Sequence, residues 1–206
     1  MKKIILIMLF ALIGLSTTLQ AQRRQYYSAG WDVGFPMDKF SDFISDASLR
    51  SFFFSGNVFV TDAFSVGFKF GYNSYHENKD RTTYYIDNGL AMTAASYNYA
   101  VTVPMQAGGY YHFNVGNMIE PYIGLGLGVN YINEEVFVQD WEIYDNQWAF
   151  LLNPEIGVRI SFGESPVALG IRCGYNYNFN SFEAFGVEYN NFQSLNLGIS
   201  LSYTIK

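Results

Sequence analysis

Charged side chains fall at unusual places in this chain. Asp32, Lys69, Glu155, Arg159 and Arg172, with Gln106 and His112, each take an alternate position between large apolar residues. Carboxylates and cations held in one narrow apolar space must pair, or suffer a desolvation penalty of several kcal/mol each. Such a set forms a fixed polar plug or, if the pairs exchange partners, a path for ions. Other groups carry chemistry outside this pattern. His76 stands near Glu77, Asp80 and Asp87, and an acid–His pair can activate a nucleophile. Glu134, Glu135, Asp140, Glu142 and Asp145 supply oxygen donors of the kind that hold Ca²⁺ or Mg²⁺, although not at EF-hand spacing. Phe182, Phe185, Tyr189 and Phe192 could fold as a cap or contact a ligand.

The elements that position the first set have a period of two. From 195 to 205, Leu195, Leu197, Ile199, Leu201, Tyr203 and Ile205 alternate with Asn196, Gly198, Ser200, Ser202 and Thr204. This is a strand with one apolar face and one small, polar face. The pattern recurs over 26–35, 52–60, 64–73, 97–113, 123–131, 147–161 and 167–177, giving eight strands, each close to the length of a tilted membrane span. Tight connections at 61–63, 114–117 and 163–166 alternate with long ones at 36–50, 74–96, 133–146 and 180–191, which are expected to be loops. Strict short–long alternation predicts an all-β, eight-stranded antiparallel up-and-down transmembrane β-barrel with both termini on the periplasmic side.

Composition agrees. Lys2 and Lys3, the apolar run 4–15 and small Ala21 describe a secretory signal peptide over 1–21, leaving 22–206 as one barrel domain. No Cys stands directly after the leader, where Gln22 is found, so no lipid anchor is expected. The mature chain has ten basic and eighteen acidic residues, about −8, which excludes nucleic acid as a partner. The single cysteine, Cys173, forms no internal disulfide and falls on the lipid face. Aromatic residues make up 19% of the chain and fall near both ends of the outward faces. Phe64, Tyr111, Phe162 and Tyr203 mark one belt; Phe35, Tyr72, Tyr99, Tyr131, Trp148 and Tyr177 mark the other.

Facing parity fixes a register. If Phe162 pairs with Val167, Arg172 lies opposite Gly157 and diagonal to both Glu155 and Arg159, which predicts an Arg172–Glu155 contact in the lumen. Gly124, Gly126 and Gly128 clear one wall, making room for Phe53 and Phe59 or for tight curvature. His112 points inward near the periplasmic end.

The hairpin from TVPMQAGGYYHF to PYIGLGLGVNY and the last strand NLGISLSYTIK resemble small outer-membrane barrels of the OmpA/OmpX type, in particular the porin-like barrel domains of Bacteroidota. The resemblance covers nearly all the mature chain. It implies the outer membrane of a Gram-negative bacterium, lipid and lipopolysaccharide around the barrel, and a monomer. It implies a terminal strand read by the barrel-assembly machinery through Asn196, Gly198, Leu201 and Tyr203, although Lys206 stands where that signal ends in an aromatic residue. No peptidoglycan-binding domain is expected after the last strand. The expected function is structural, or surface interaction with an extracellular or envelope protein through the outer loops. A narrow channel for ions or small solutes is the alternative, and an enzyme comes third. No catalytic, cofactor or metal residues are assigned.

Overall fold

The computed structural model describes residues 24–86, 90–138, 141–163, 165–184 and 187–205. The expected leader, Asp87, Asp140 and Phe185 lie outside the described residues. In chain order the elements are β1 (Gln25–Met37), α1 (Lys39–Phe43), β2 (Ser48–Phe59), β3 (Phe64–Ile86), β4 (Leu90–His112), β5 (Ile119–Val138), β6 (Trp141–Ser161), β7 (Val167–Phe179), β8 (Ser181–Ala184), β9 (Val187–Asn190) and β10 (Gln193–Ile205). Eight strands close into an antiparallel barrel, with β10 between β1 and β7. β8 and β9 form a separate hairpin.

Alternation sorts the side chains as the sequence requires. Phe52, Phe54, Ile123, Leu125, Leu127, Ile199 and Leu201 are exposed on the outside, whereas Phe53, Ser55, Asn153 and Glu155 are buried inside. A water-soluble barrel would reverse this; an apolar outer face is the side that hydrocarbon covers. β6 and β7 pair with Gly157 opposite Arg172, as parity predicts. At the tight turns, Asn114 and Gly116 adopt positive φ, which asparagine and glycine accept most readily.

The long connections differ from expectation. Little of 74–96 and 133–146 is loop, because β3 and β4 stay paired to Ile86 and Leu90, and β5 and β6 to Val138 and Trp141. β2 stops pairing with β3 at Ser74, and β7 stops pairing with β6 at Phe150. Beyond those points β3–β6 stand as a four-stranded sheet. Its inner face carries Tyr75, Ala100, Ile132, Val136 and Val138, all buried against α1 and the β8–β9 hairpin, which fold within 36–50 and 180–191. A second apolar core therefore keeps the backbone paired outside the barrel.

The glycine wall also serves different side chains. The Tyr110 ring lies over Gly124 and the Gln106 amide over Gly126, so neighbours on β4 fill the space, not Phe59; Phe53 packs over Gly30 instead.

Candidate functional site: a charged lumen beneath an aromatic cap

Five of the six predicted lumen residues meet in one network. Arg172 donates from Nε to Asp32 Oδ1 at 3.1 Å and from its terminal nitrogens to Asp32 Oδ2 and, at 2.6 Å, to Glu155 Oε2. Lys69 also donates to Glu155 Oε2, and reaches Asn153 Oδ1 at 2.8 Å. Gln106 joins through the same Asn153 oxygen at 3.0 Å. The Tyr122 hydroxyl donates to Glu155 Oε1 at 2.9 Å, and the Phe53 ring centre lies 3.9 Å from the Arg172 guanidinium carbon. Two carboxylates thus meet two cations with every charge hydrogen-bonded, the condition under which buried ions are tolerated.

Register explains how Arg172 and Asp32 meet. One hydrogen-bonded row reads Asp32 on β1, Gly198 on β10, Arg172 on β7, Gly157 on β6 and Tyr122 on β5. Large side chains alternate with glycines: the pair crosses Gly198, and the Tyr122 ring covers Gly157.

Arg159 is the exception. Its cross-strand neighbour is Glu120, and it donates to Glu120 Oε2 at 3.1 Å, with Arg24 at 2.7 Å from the same oxygen. Its cation is matched by the carboxylate directly opposite, apart from the Arg172 network. Sequence reasoning began the fifth strand at Ile123 and missed Glu120; carrying parity inward past Pro121 would have found both Glu120 and Tyr122. Beside this cluster, Ser65 Oγ lies 2.8 Å from His112 Nε2, and His112 Nδ1 lies 3.1 Å from Glu120 Oε1. That order of groups could activate a hydroxyl. Ser65 and Glu120 have no exposed surface, His112 has 1%, and Glu120 is already bound by two arginines, so the trio is part of the buried packing of the lumen.

His76 and Glu77 do not form an acid–His pair. Neighbours on a strand face opposite ways: His76 stacks on Tyr99 outside, while the Glu77 carboxylate accepts from Ser45 N and Oγ at 2.8 and 2.6 Å. The acidic stretch is divided in the same manner, with Glu134 and Asp145 paired on the inner face and Glu135 and Glu142 on the outer. Among the described residues, no group of three Asp, Glu, His or Cys converges as a metal site. Glu134 is fully buried, its Oε1 accepting from Gln147 and Asn180 at 3.2 Å each. Burial first, and Asp145 second, push its carboxyl up to about 8.

Above the lumen the rings form a cap. Phe40 of α1 stacks on Phe192 at 4.3 Å and meets Tyr75 edge-on at 4.9 Å; Phe43 meets Phe182, Tyr189 and Phe192 within 5.8 Å. Asn98 donates to the Phe43 carbonyl at 2.7 Å and Lys79 to that of Asp42, fastening α1 to the sheet. Of the predicted terminal residues, Asn196 is buried inside with Gly198 in the same inward row, and Leu201 and Tyr203 are exposed outside.

Residues 6–204 match the model of the outer membrane protein beta-barrel domain family. The chain belongs to that family. It is thus a protein of the outer membrane, and its exposed apolar face is a lipid face. Solved structures agree in fold. The attachment invasion locus protein Ail of Yersinia pestis is similar at 8% identity and a TM-score of 0.54, over 90% of this chain and 100% of that one. A major outer membrane protein from Thermus thermophilus gives 12% identity and 0.54, over the same shares. Neisserial surface protein A gives 17% and 0.49, over 88% and 96%. No curated protein matches the chain in sequence.

Proposed function

We propose that this outer membrane barrel is closed to solutes and acts through the surface at its capped end, in a structural or surface-interaction role. The supporting observation is a lumen stoppered twice. Among the described residues, cavities of about 30 and 20 Å³ lie inside, each with room for a water or two, and Arg172, Lys69 and Phe53 form the layer between them. The aromatic cap above that layer is the second stopper. Eight strands enclose little more than their own side chains.

In this reading the tight turns and both termini face the periplasm, and the cap faces outward. Residues 1–21 are the export signal, β10 is the strand read by the assembly machinery, and the barrel works as a monomer among lipid and lipopolysaccharide. The segments 36–50, 74–96, 133–146 and 180–191 then bring thirteen acidic and four basic residues to the outer end, a formal net −9, or about −8 with buried Glu134 keeping its proton. The Yersinia protein is known in complex with the heparin analogue sucrose octasulfate. A polyanion of that kind would meet a net negative end here, where acids outnumber bases thirteen to four, so a cationic partner is favoured.

Planar-bilayer recording of the refolded protein tests the closed lumen. The expected result is a flat baseline; steady single-channel steps that change with Arg172→Ala would establish a channel instead.

A further inference from the structure

The outward face of the β3–β6 sheet presents rings that neither lipid nor the cap accounts for. After the belt residues Tyr72, Tyr131 and Trp148, the next outward positions on β3, β5 and β6 are polar: Ser74, Asn133 and Asn146. The lipid face ends there. Two further rows follow along the sheet. One reads His76, Tyr99, Glu135, Tyr144 and the next Asn78, Tyr97, Phe137, Glu142, each across β3, β4, β5 and β6. Tyr99, assigned to the belt from sequence, therefore belongs to this surface. Tyr144 is 66% exposed, Tyr97 48% and Tyr99 38%. The His76 and Tyr99 rings lie nearly parallel at 6.4 Å, and Tyr99 meets Phe137 edge-on at 6.0 Å.

Each carboxylate here is directly opposite a ring: Glu135 faces Tyr144, and Glu142 faces Phe137. No lysine or arginine stands in either row. Ring faces and carboxylates both attract cations, and a guanidinium satisfies both at once, lying flat on a tyrosine while its edge donates to a neighbouring carboxylate. Lysine, a compact point charge, does less. The rows are two residues apart along the strands, about 6.8 Å, which is also the spacing of same-face side chains in an extended peptide. The negative charge of the capped end draws a cation in from a distance.

We propose that this platform docks an extended, arginine-rich segment of a partner protein, with arginines at alternate positions placing one guanidinium over each row. This rests on the surface-interaction reading above and names the class of partner.

The test is titration of the refolded, full mature chain in lipid nanodiscs with the peptide Arg-Ser-Arg-Ser-Arg-Ser-Arg-Ser-Arg. Saturable binding is expected, at least fivefold weaker for the lysine analogue. Tyr144→Ala and the pair Glu135→Gln/Glu142→Gln should each weaken it about tenfold. Glu183→Gln/Glu188→Gln, on the β8–β9 hairpin, should change it less than twofold. Tyr144 and Glu142 are exposed, and circular dichroism checks that the variants fold. Absence of saturable binding, an equal loss from the hairpin pair, or indifference to Tyr144→Ala would each overturn the proposal. So would platform variants that change binding to lipopolysaccharide vesicles but not to the peptide. Conductance separates the two readings: a closed barrel that ignores the peptide loses the platform alone, and a conducting barrel that binds it loses the closed lumen alone.

Discussion

Arg172 reaches Asp32 by passing over Gly198, where a Cβ would fall on the Asp32 carboxylate. Gly198→Ala should therefore separate the pair and leave a buried guanidinium short of one partner. The expected loss is about 3 kcal/mol, in the range for breaking a buried ion pair, read from urea unfolding in lipid. Gly198 is not at positive φ, so the loss is one of packing, whereas Gly163→Ala, at φ 59 with nothing nearby, shows the cost of backbone strain alone. At the cap, Glu134 gives a pH dependence whose sign follows from its raised carboxyl. The folded chain keeps a proton there, from the ordinary range near 4.5 up to about 8, that the unfolded chain has released. Stability of the cap should thus fall as pH rises through that window and level off above it. Glu134→Gln should remove the slope, and hydrogen exchange of the β8–β9 hairpin between pH 5 and 9 measures it. The Arg172–Glu155 contact was legible from parity alone. Glu134 was legible only as part of an acidic stretch, since its burial comes from segments far away in sequence.

Among the elements, α1 and the β8–β9 hairpin owe their places to ring packing. Phe192 has no exposed surface and stacks on Phe40. Phe192→Ala should cost the cap about 3–5 kcal/mol, as for other buried phenylalanines. Limited proteolysis should then cut within 38–47 and 181–191 while the barrel stays intact; cleavage unchanged from the parent would show that the cap does not depend on this stack. The same elements show where sequence reading failed. Inside the membrane, hydrocarbon demands large apolar residues on one face, and alternation is plain. Past Tyr131 and Trp148 that demand ends, the outward positions become Asn, Glu and Tyr, and the two-residue signal fades although the hydrogen-bonded ladder continues. The rings of 180–191 suggested a cap; their partners Phe40 and Phe43 were not singled out, because a five-residue helix has too short a pattern to read.

At the scale of the molecule, strand number and the pairing of the last strand with the first were readable, because one solvent boundary imposes them on every strand. The strict alternation of short and long connections was not kept, since 74–96 and 133–146 are mostly paired strand. The charge layout was not readable, since it depends on which end each connection occupies. The Asp32–Arg172 pair adds something at this scale. Its members are 140 residues apart, on strands either side of β10. They can clasp only when the final strand has slid into place between them. If β10 slipped by two residues, its apolar face would still meet lipid, but Asn196 or Ser200 would take the place of Gly198, and their side chains would bar the carboxylate. Hydrophobicity cannot tell these registers apart. The missing side chain can, so the clasp in the lumen favours one closing register over its neighbours.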